Sequence, residues 1–302
     1  MKAELVHERG DALIATAARA SFNRRADQYT DEQNKKLINY LANAKPSHFA
    51  PIAHVRLTLR LKHWMIIYKK LTASNKAGMI EVRYGDSIDV SHSFYGWVKL
   101  LQERKVHFNA ADSVIDHLQA IAPYCAAAFN IESLRPEKPL KDQQSVELSC
   151  WHYEQDFVTL RVELPITIAR QFMKSVVGYI YSEASGRYIT YSKIHMPTEL
   201  HGKPDRKKQG SGKPLGFIRK AIATAIIKAS YAVSKLAYNV LQHVIGVAPE
   251  EARCVMPMYT GTVIVVTAAR ADWDRFLQLR LANSAQTDIR VLARLIEVEL
   301  NK

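Results

Sequence analysis

Cysteine is almost missing from this chain of 302 residues: there are three, at positions 125, 150 and 254. They are odd in number and far apart, with no Cys-x-x-Cys pair, which excludes a disulfide framework and a zinc knuckle. Each reads as a small buried hydrophobe. Glycine (12) and proline (11) are too scarce for a collagen-like or low-complexity chain. No window approaches roughly 18 uninterrupted apolar residues, so no membrane span is expected. The opening MKAELVHERGD carries no apolar signal core, from which a cytoplasmic protein is expected. The eleven histidines show no His-Glu-x-x-His or comparable spacing, so no metal is expected. Gly210-Ser-Gly-Lys213 is no P-loop, because the earlier glycine is missing and Pro214 replaces the hydroxyl residue.

What is present is an ordinary globular composition with a basic excess. Hydrophobic residues make 48% and charged residues 24%, enough apolar surface to exclude whole-chain disorder. Lys and Arg number 42 against 29 Asp and Glu, a net charge of +13. That charge suits a nucleic acid, a phosphorylated small molecule or simply a basic surface, and cannot choose among them.

Patterning divides the chain into four regions. Residues 12–17 read as a strand, followed by a polar helix with Asp31 as N-cap and Leu37, Ile38 and Leu41 on one face. His48–His54 is turn-rich, and Val55–Leu61 alternates with period two, giving a strand with one apolar and one basic face. The second region, about 62–150, mixes a strand at Met79–Tyr84, helices near Phe94–Arg104 and Ala111–Ile121, and a Pro/Lys-rich stretch at 135–141. The third holds a strand at Phe157–Leu164, a helix from Ile166, and the segment Tyr181–Tyr188. The fourth has a polar loop at 203–213, a long apolar-faced helix over about 216–245, a helix opened by Pro249 and a C-terminal helix. Trp97–Arg104 echoes Trp273–Arg280, through duplication or through shared amphipathic periodicity.

Chemistry concentrates between residues 169 and 188. Arg170, Gln171 and Lys174 follow one another along a helix, and Glu183, Ser185 and Arg187 alternate after it. Extended backbone would put those three on one side: an acceptor, a hydroxyl and a guanidinium, suited to a ribose, a phosphate and a planar base. The same residues also fit a solvated segment with an i,i+4 Glu–Arg pair.

Seven segments together resemble the flavin-dependent thymidylate synthases, in that family's order. They are Ala17-Ala-Arg-Ala-Ser-Phe22, His48-Phe-Ala-Pro-Ile-Ala-His54, Pro165-Ile-Thr-Ile-Ala-Arg-Gln171, Ser182-Glu-Ala-Ser-Gly-Arg-Tyr188, Lys208-Gln-Gly-Ser211, Glu251-Ala-Arg-Cys-Val-Met-Pro257, and Phe276-Leu-Gln-Leu-Arg280 with Ala285-Gln286. The resemblance implies an α+β fold, an antiparallel-containing sheet packed with long helices. It implies one domain over 1–302 with an inserted α/β segment at about 62–150. It assigns Gln171, Lys174, Glu183, Ser185, Arg187, Arg253 and Arg280 to deoxyuridine monophosphate (dUMP), with Arg280 and Ser185 as the catalytic pair. The implied cofactor residues, for FAD, are His48, Ser175, Arg270 and Ser284; methylenetetrahydrofolate and NADPH are the other implied cofactors, and a homotetramer with shared sites the implied assembly.

The departures fall on the flavin side. The family's R-H-R triplet lies at Lys174-Ser175-Val176, Ala50 and Ala53 replace polar turn residues, and Ser284 stands where a histidine precedes Ala-Gln. Three functions remain open on the sequence. They are reductive methylation of dUMP at C5, a pyrimidine-nucleotide enzyme with altered cofactor or C5 product, and a non-enzymatic nucleic-acid-binding descendant.

Overall fold

Two four-stranded antiparallel sheets organise the chain, seen in a computed structural model that describes residues 1–44, 48–62, 79–84, 87–106, 108–136, 149–150, 157–175, 179–204 and 211–302. The first half runs β1 (Lys2–Val6), α1 (Gly10–Ala20), α2 (Asp31–Asn43), β2 (Arg56–Lys62), β3 (Ile80–Tyr84), β4 (Ser87–Ser93), α3 (Phe94–Gln102), α4 (Phe108–Ile121) and α5 (Pro123–Ala128). The second runs β5 (Ser149–Cys150), β6 (Phe157–Pro165), α6 (Ile166–Met173), β7 (Ile180–Glu183), α7 (Phe217–Asn239), α8 (Pro249–Ala252), β8 (Gly261–Ala269), α9 (Arg270–Arg280) and α10 (Thr287–Leu300). The sheets are ordered β1-β6-β8-β7 and β3-β4-β2-β5. The α+β expectation holds, and no helix among the described residues is long and apolar enough to cross a membrane.

Alternation along β6 and β8 decides which side of the first sheet carries what. Leu160, Val162, Leu164, Ile264, Val266 and Ala268 face α6, α9 and α10, where they meet Phe172, Trp273, Phe276, Ile289 and Ile296 in one core. The opposite side takes Val265, packed against Ala17 and Ala20 of α1. A second core gathers Leu57, Leu59 and Val90 under Phe94, Trp97, Val114 and Leu118. Strand β2 of the second sheet precedes the segment expected as an insertion, and the core is shared with Leu13 and Ile14 of α1 and Ile38 and Leu41 of α2.

Residues 12–17, expected as a strand, lie inside helix α1. The run is apolar on every side because Leu13, Ile14, Ala15, Thr16, Ala17, Ala18 and Ala20 are all buried, so no period shows. Its four alanines over 12–18 favour the helix. The cap of α2 is Thr30, with Asp31 one residue inside. Thr30 Oγ1 accepts from Gln33 N at 3.3 Å, and Gln33 Oε1 accepts from Thr30 N at 3.0 Å, a reciprocal capping box. Strand β4 has no counterpart in the sequence reading. The Pro/Lys-rich 135–141 and the 203–213 loop lie largely outside the described residues.

Candidate active site

The Ser182–Tyr188 segment leaves sheet β7 at Glu183, so the expected alternation stops there. A turn follows, in which Tyr188 N donates to Ser185 O at 2.9 Å. Gly186 is needed in that turn, since a Cβ there would lie 2.4 Å from the Tyr191 hydroxyl. The turn is fastened to the end of α1: Ser185 N donates to Ser21 O at 2.9 Å, and the Phe22 and Tyr188 rings sit 5.1 Å apart. Beneath it, Glu183 Oε1 accepts from Thr262 Oγ1 at 3.0 Å.

Two of the arginines expected on the nucleotide side meet at one residue. Arg187 Nε donates to Glu250 Oε2 at 2.8 Å, and Arg253 Nε donates to the Glu250 carbonyl oxygen at 3.0 Å. The α8 turn brings them together, because Glu250 and Arg253 are three positions apart on a helical course that Pro249 starts. Burial pushes the Tyr191 hydroxyl above its ordinary pKa, while Arg253 beside it pulls the other way.

A second set forms where α6 ends against the turn between α9 and α10. Arg280 donates to Ser175 Oγ from Nε at 3.0 Å and from Nη2 at 2.7 Å. The same hydroxyl donates to the Gln171 carbonyl oxygen at 2.7 Å. The Gln171 side-chain amide donates to Gln286 Oε1, and Gln286 is the residue from which α10 starts. Ser175 is therefore saturated, with its one donor and both lone pairs in use. Lys174 lies exposed at the end of α6. Among the described residues no hydrogen bond or ion pair joins the Gln171–Ser175–Arg280 set to the Glu183–Arg187–Arg253 set.

The four residues expected on the flavin side are not assembled in one place. Arg270 opens α9, the opposite end from Arg280. It is held by Asp274 at 3.1 Å and by the Leu300 carbonyl oxygen at 2.7 Å, which ties α9 to the end of α10. His48 stacks on Tyr40 at 6.1 Å, and Ser284 is exposed in the α9–α10 turn. With Ser175 saturated and Arg270 committed, these four do not fit a flavin within one chain.

The sequence reading missed the partners. Besides Glu250, Thr262 and Gln286, it passed over His54, which is fully buried: its Nδ1 lies 2.8 Å from Thr267 Oγ1 and its Nε2 3.0 Å from Ser182 Oγ. Burial pushes His54 down to about 3, so it is neutral and pins the 48–54 turn to the sheet beside Glu183. The signal available for Glu250 was its spacing from Arg253; for His54 it was the second histidine of the turn.

The model of the thymidylate synthase complementing protein family matches residues 152–302, half of the chain, which contains both sets of residues expected on the nucleotide side. The chain belongs to that family. Among its relatives is the flavin-dependent thymidylate synthase of Aquifex aeolicus, 28% identical over 315 aligned positions that cover 95% of this chain and 93% of that one. The enzyme of the same description from Thermus thermophilus is 32% identical over 145 residues, 48% of this chain and 52% of that one. The solved structure of a UMP/dUMP methylase, PolB from Streptomyces cacaoi bound with 5-Br dUMP, is similar over 98% of this chain and 88% of that one, at 16% identity and a TM-score of 0.43.

Proposed function

We propose that this chain is a thymidylate synthase-like methyltransferase that converts dUMP to dTMP by reductive methylation at C5. Methylenetetrahydrofolate would bring the one-carbon unit, and reduced FAD, replenished through NADPH, the hydride. The observation that carries the reading is the meeting of Arg187 and Arg253 at Glu250, next to the Ser185 turn. Two guanidinium groups and a turn hydroxyl form a seat for a dianionic phosphate, which would displace the Glu250 carboxylate from Arg187. Glu183, on the adjacent strand, is the acceptor for a ribose hydroxyl.

Arg280 has the role at the ring. Methyl transfer to C5 builds negative charge on the pyrimidine carbonyl oxygens, and a fixed cation there stabilises it. Ser175 uses the Nε–H and one Nη2–H of Arg280. Three N–H groups remain, including the paired Nη1/Nη2 end of the fork, free to meet a carbonyl oxygen. Gln171 and Lys174 complete the nucleotide contacts from the end of α6.

The two sets are joined when chains assemble, in a homotetramer with shared sites. The exposed stripe of α7 supports that assembly: Phe217, Ile218, Ile222, Ile226, Val233 and Leu236 all lie open to solvent in the single chain. The flavin seat would be completed by a neighbouring chain.

A second reading keeps the pyrimidine nucleotide and changes the cofactor or the C5 product. The observation favouring it is the saturation of Ser175 and the commitment of Arg270. Calorimetric titration with dUMP, and absorbance after adding FAD, separate the two. The first reading predicts dUMP binding lost in Arg253→Ala and a yellow holoprotein. Binding without any flavin uptake transfers support to the second, and absence of dUMP binding rejects both.

A further inference from the structure

The echo between Trp97–Arg104 and Trp273–Arg280 extends to the whole architecture around each tryptophan. Both sheets have the same plan: read from the other edge, β5-β2-β4-β3 matches β1-β6-β8-β7, with every neighbouring pair antiparallel. The chain visits them in the same order, β2, β3, β4 and β6, β7, β8, and in each case two helices come next, α3 and α4 or α9 and α10, with α5 a third after the first copy.

The register agrees residue by residue. Arg56 pairs with Ser93 and Phe157 with Ala269, each time the first residue of the inner strand against the last before the helix. Ile80 pairs with Ser91 and Ile180 with Thr267, which are the same positions in the two plans. Trp97 and Trp273 are each the fourth residue of their helix. Trp97 Nε1 donates to Leu57 O at 2.9 Å and Trp273 Nε1 to Val158 O at 3.0 Å, each acceptor being the second residue of its strand. The strands themselves read Arg-Leu-Thr-Leu-Arg-Leu and Phe-Val-Thr-Leu-Arg-Val. Shared amphipathic periodicity alone gives none of this agreement in register and hydrogen bonding.

The two copies also touch through equivalent residues. The Arg56 guanidinium lies 4.7 Å above the Phe157 ring, and these are matching positions in the two strands. Thr58 and Thr159, another matching pair, line the same cleft of about 200 Å³. A residue meets its own counterpart only near a two-fold axis. The edge strands are exchanged across that axis: β1, which precedes the first copy, adds to the sheet of the second, and β5, which precedes the second copy, adds to the sheet of the first. Reciprocal exchange of an edge is the pattern of a swapped dimer.

We infer that residues 56–121 are a second copy of the frame built by β6, β7, β8, α9 and α10, packed against it about a pseudo-two-fold axis between Arg56 and Phe157, as a partner supplied within the chain. Among its described residues, this copy has no counterpart of the elements assigned to the nucleotide seat. Only Gly85 and Asp86 separate β3 from β4, whereas residues 184–260 separate β7 from β8 and bring Ser185, Arg187, Arg253 and α7. Arg83 stands at the position of Glu183, and Arg104 at the position of Arg280. The family match over 152–302 takes in the equipped copy and leaves the bare one outside.

Exchanging the two axial residues in the full chain tests the symmetry without reference to nucleotide. Phe157→Arg alone sets two guanidinium groups against each other and lowers the thermal midpoint by about 5 °C or more. Adding Arg56→Phe restores the aromatic–guanidinium pair in mirrored order and recovers at least half of that loss, because Thr267, at the position of Ser91, keeps one lone pair for the mirrored arginine beside its bonds to His54 and Thr159. No recovery, including failure of both variants to fold, overturns the pseudo-two-fold.

The bareness of the first copy rests on the dUMP reading, and dUMP titration tests it. One nucleotide per chain is expected, with affinity unchanged within twofold in Arg104→Ala and at least about tenfold weaker in Arg280→Ala. Two nucleotides per chain, or an Arg104→Ala loss equal to that of Arg280→Ala, overturns it. Rescue by the exchange in a chain that binds no dUMP upholds the repeat and rejects the nucleotide reading.

Discussion

Ser175 shows how one side chain decides what another can do. Its hydroxyl receives two bonds from Arg280 and gives one to Gln171, so the guanidinium is held before any ligand arrives. Such preorganisation matters most in the transition state, where charge on the pyrimidine is largest. Ser175→Ala is therefore expected to lower kcat for dUMP about tenfold, with a smaller change in KM, because hydrogen bonds to charged groups are worth roughly 1.5–3 kcal/mol. Ser175→Thr, which keeps the hydroxyl, is expected to retain most activity; steady-state kinetics on the two variants checks both. His54 makes a different prediction. Its pKa, about 3 in the fold against 6.5 outside it, means the unfolded chain takes up a proton that the native chain refuses. Its stabilising contribution is complete above pH 6.5 and drains as the pH falls towards 3, and His195, pushed down to about 4 by burial, acts in the same direction. Urea unfolding of His54→Gln between pH 6 and 4 should show an acid limb shallower by about one proton, ~1.4 kcal/mol per pH unit.

At the scale of elements, legibility followed periodicity. The strand at 157–164 and the helices at 94–104 and 111–121 announced themselves, since one face of each is apolar and the other is not. Helix α1 did not, because burial on all sides removes the contrast that a pattern needs. Strand β4, Ser-Ile-Asp-Val-Ser-His-Ser, hides its alternation in polar residues: Asp89, Ser91 and His92 are buried there along with Val90. Helix α7 was legible as a helix, but its apolar face meets little of its own chain; Phe217 is 87% and Ile218 72% exposed, and only Tyr238 is buried. A stripe of that size in water suits the assembly surface proposed above. Ile222→Glu is expected to dissociate the assembly, read as a fall in mass by light scattering; an unchanged mass removes α7 from the interface.

Over the whole molecule, the residues that carry the motifs were legible, and their partners were not. Gln171 meets Gln286 across 115 positions and Arg187 meets Glu250 across 63, separations that no local pattern encodes. Two strands of the second sheet, at 55–61 and 79–84, were foreseen, but its match to the first sheet was not, because the shared register becomes visible only once the strands are paired. Under the proposed function the basic excess finds part of its use in Arg187, Arg253, Arg280 and Lys174, drawn from regions far apart in the chain. The most direct measurement of the account is release of tritium from C5-labelled dUMP by the purified protein with methylenetetrahydrofolate, FAD and NADPH. Release matched by dTMP formation, and abolished in Arg280→Ala while the fold is kept, is the predicted result. No release from the wild-type chain, or equal release from Arg280→Ala, contradicts it.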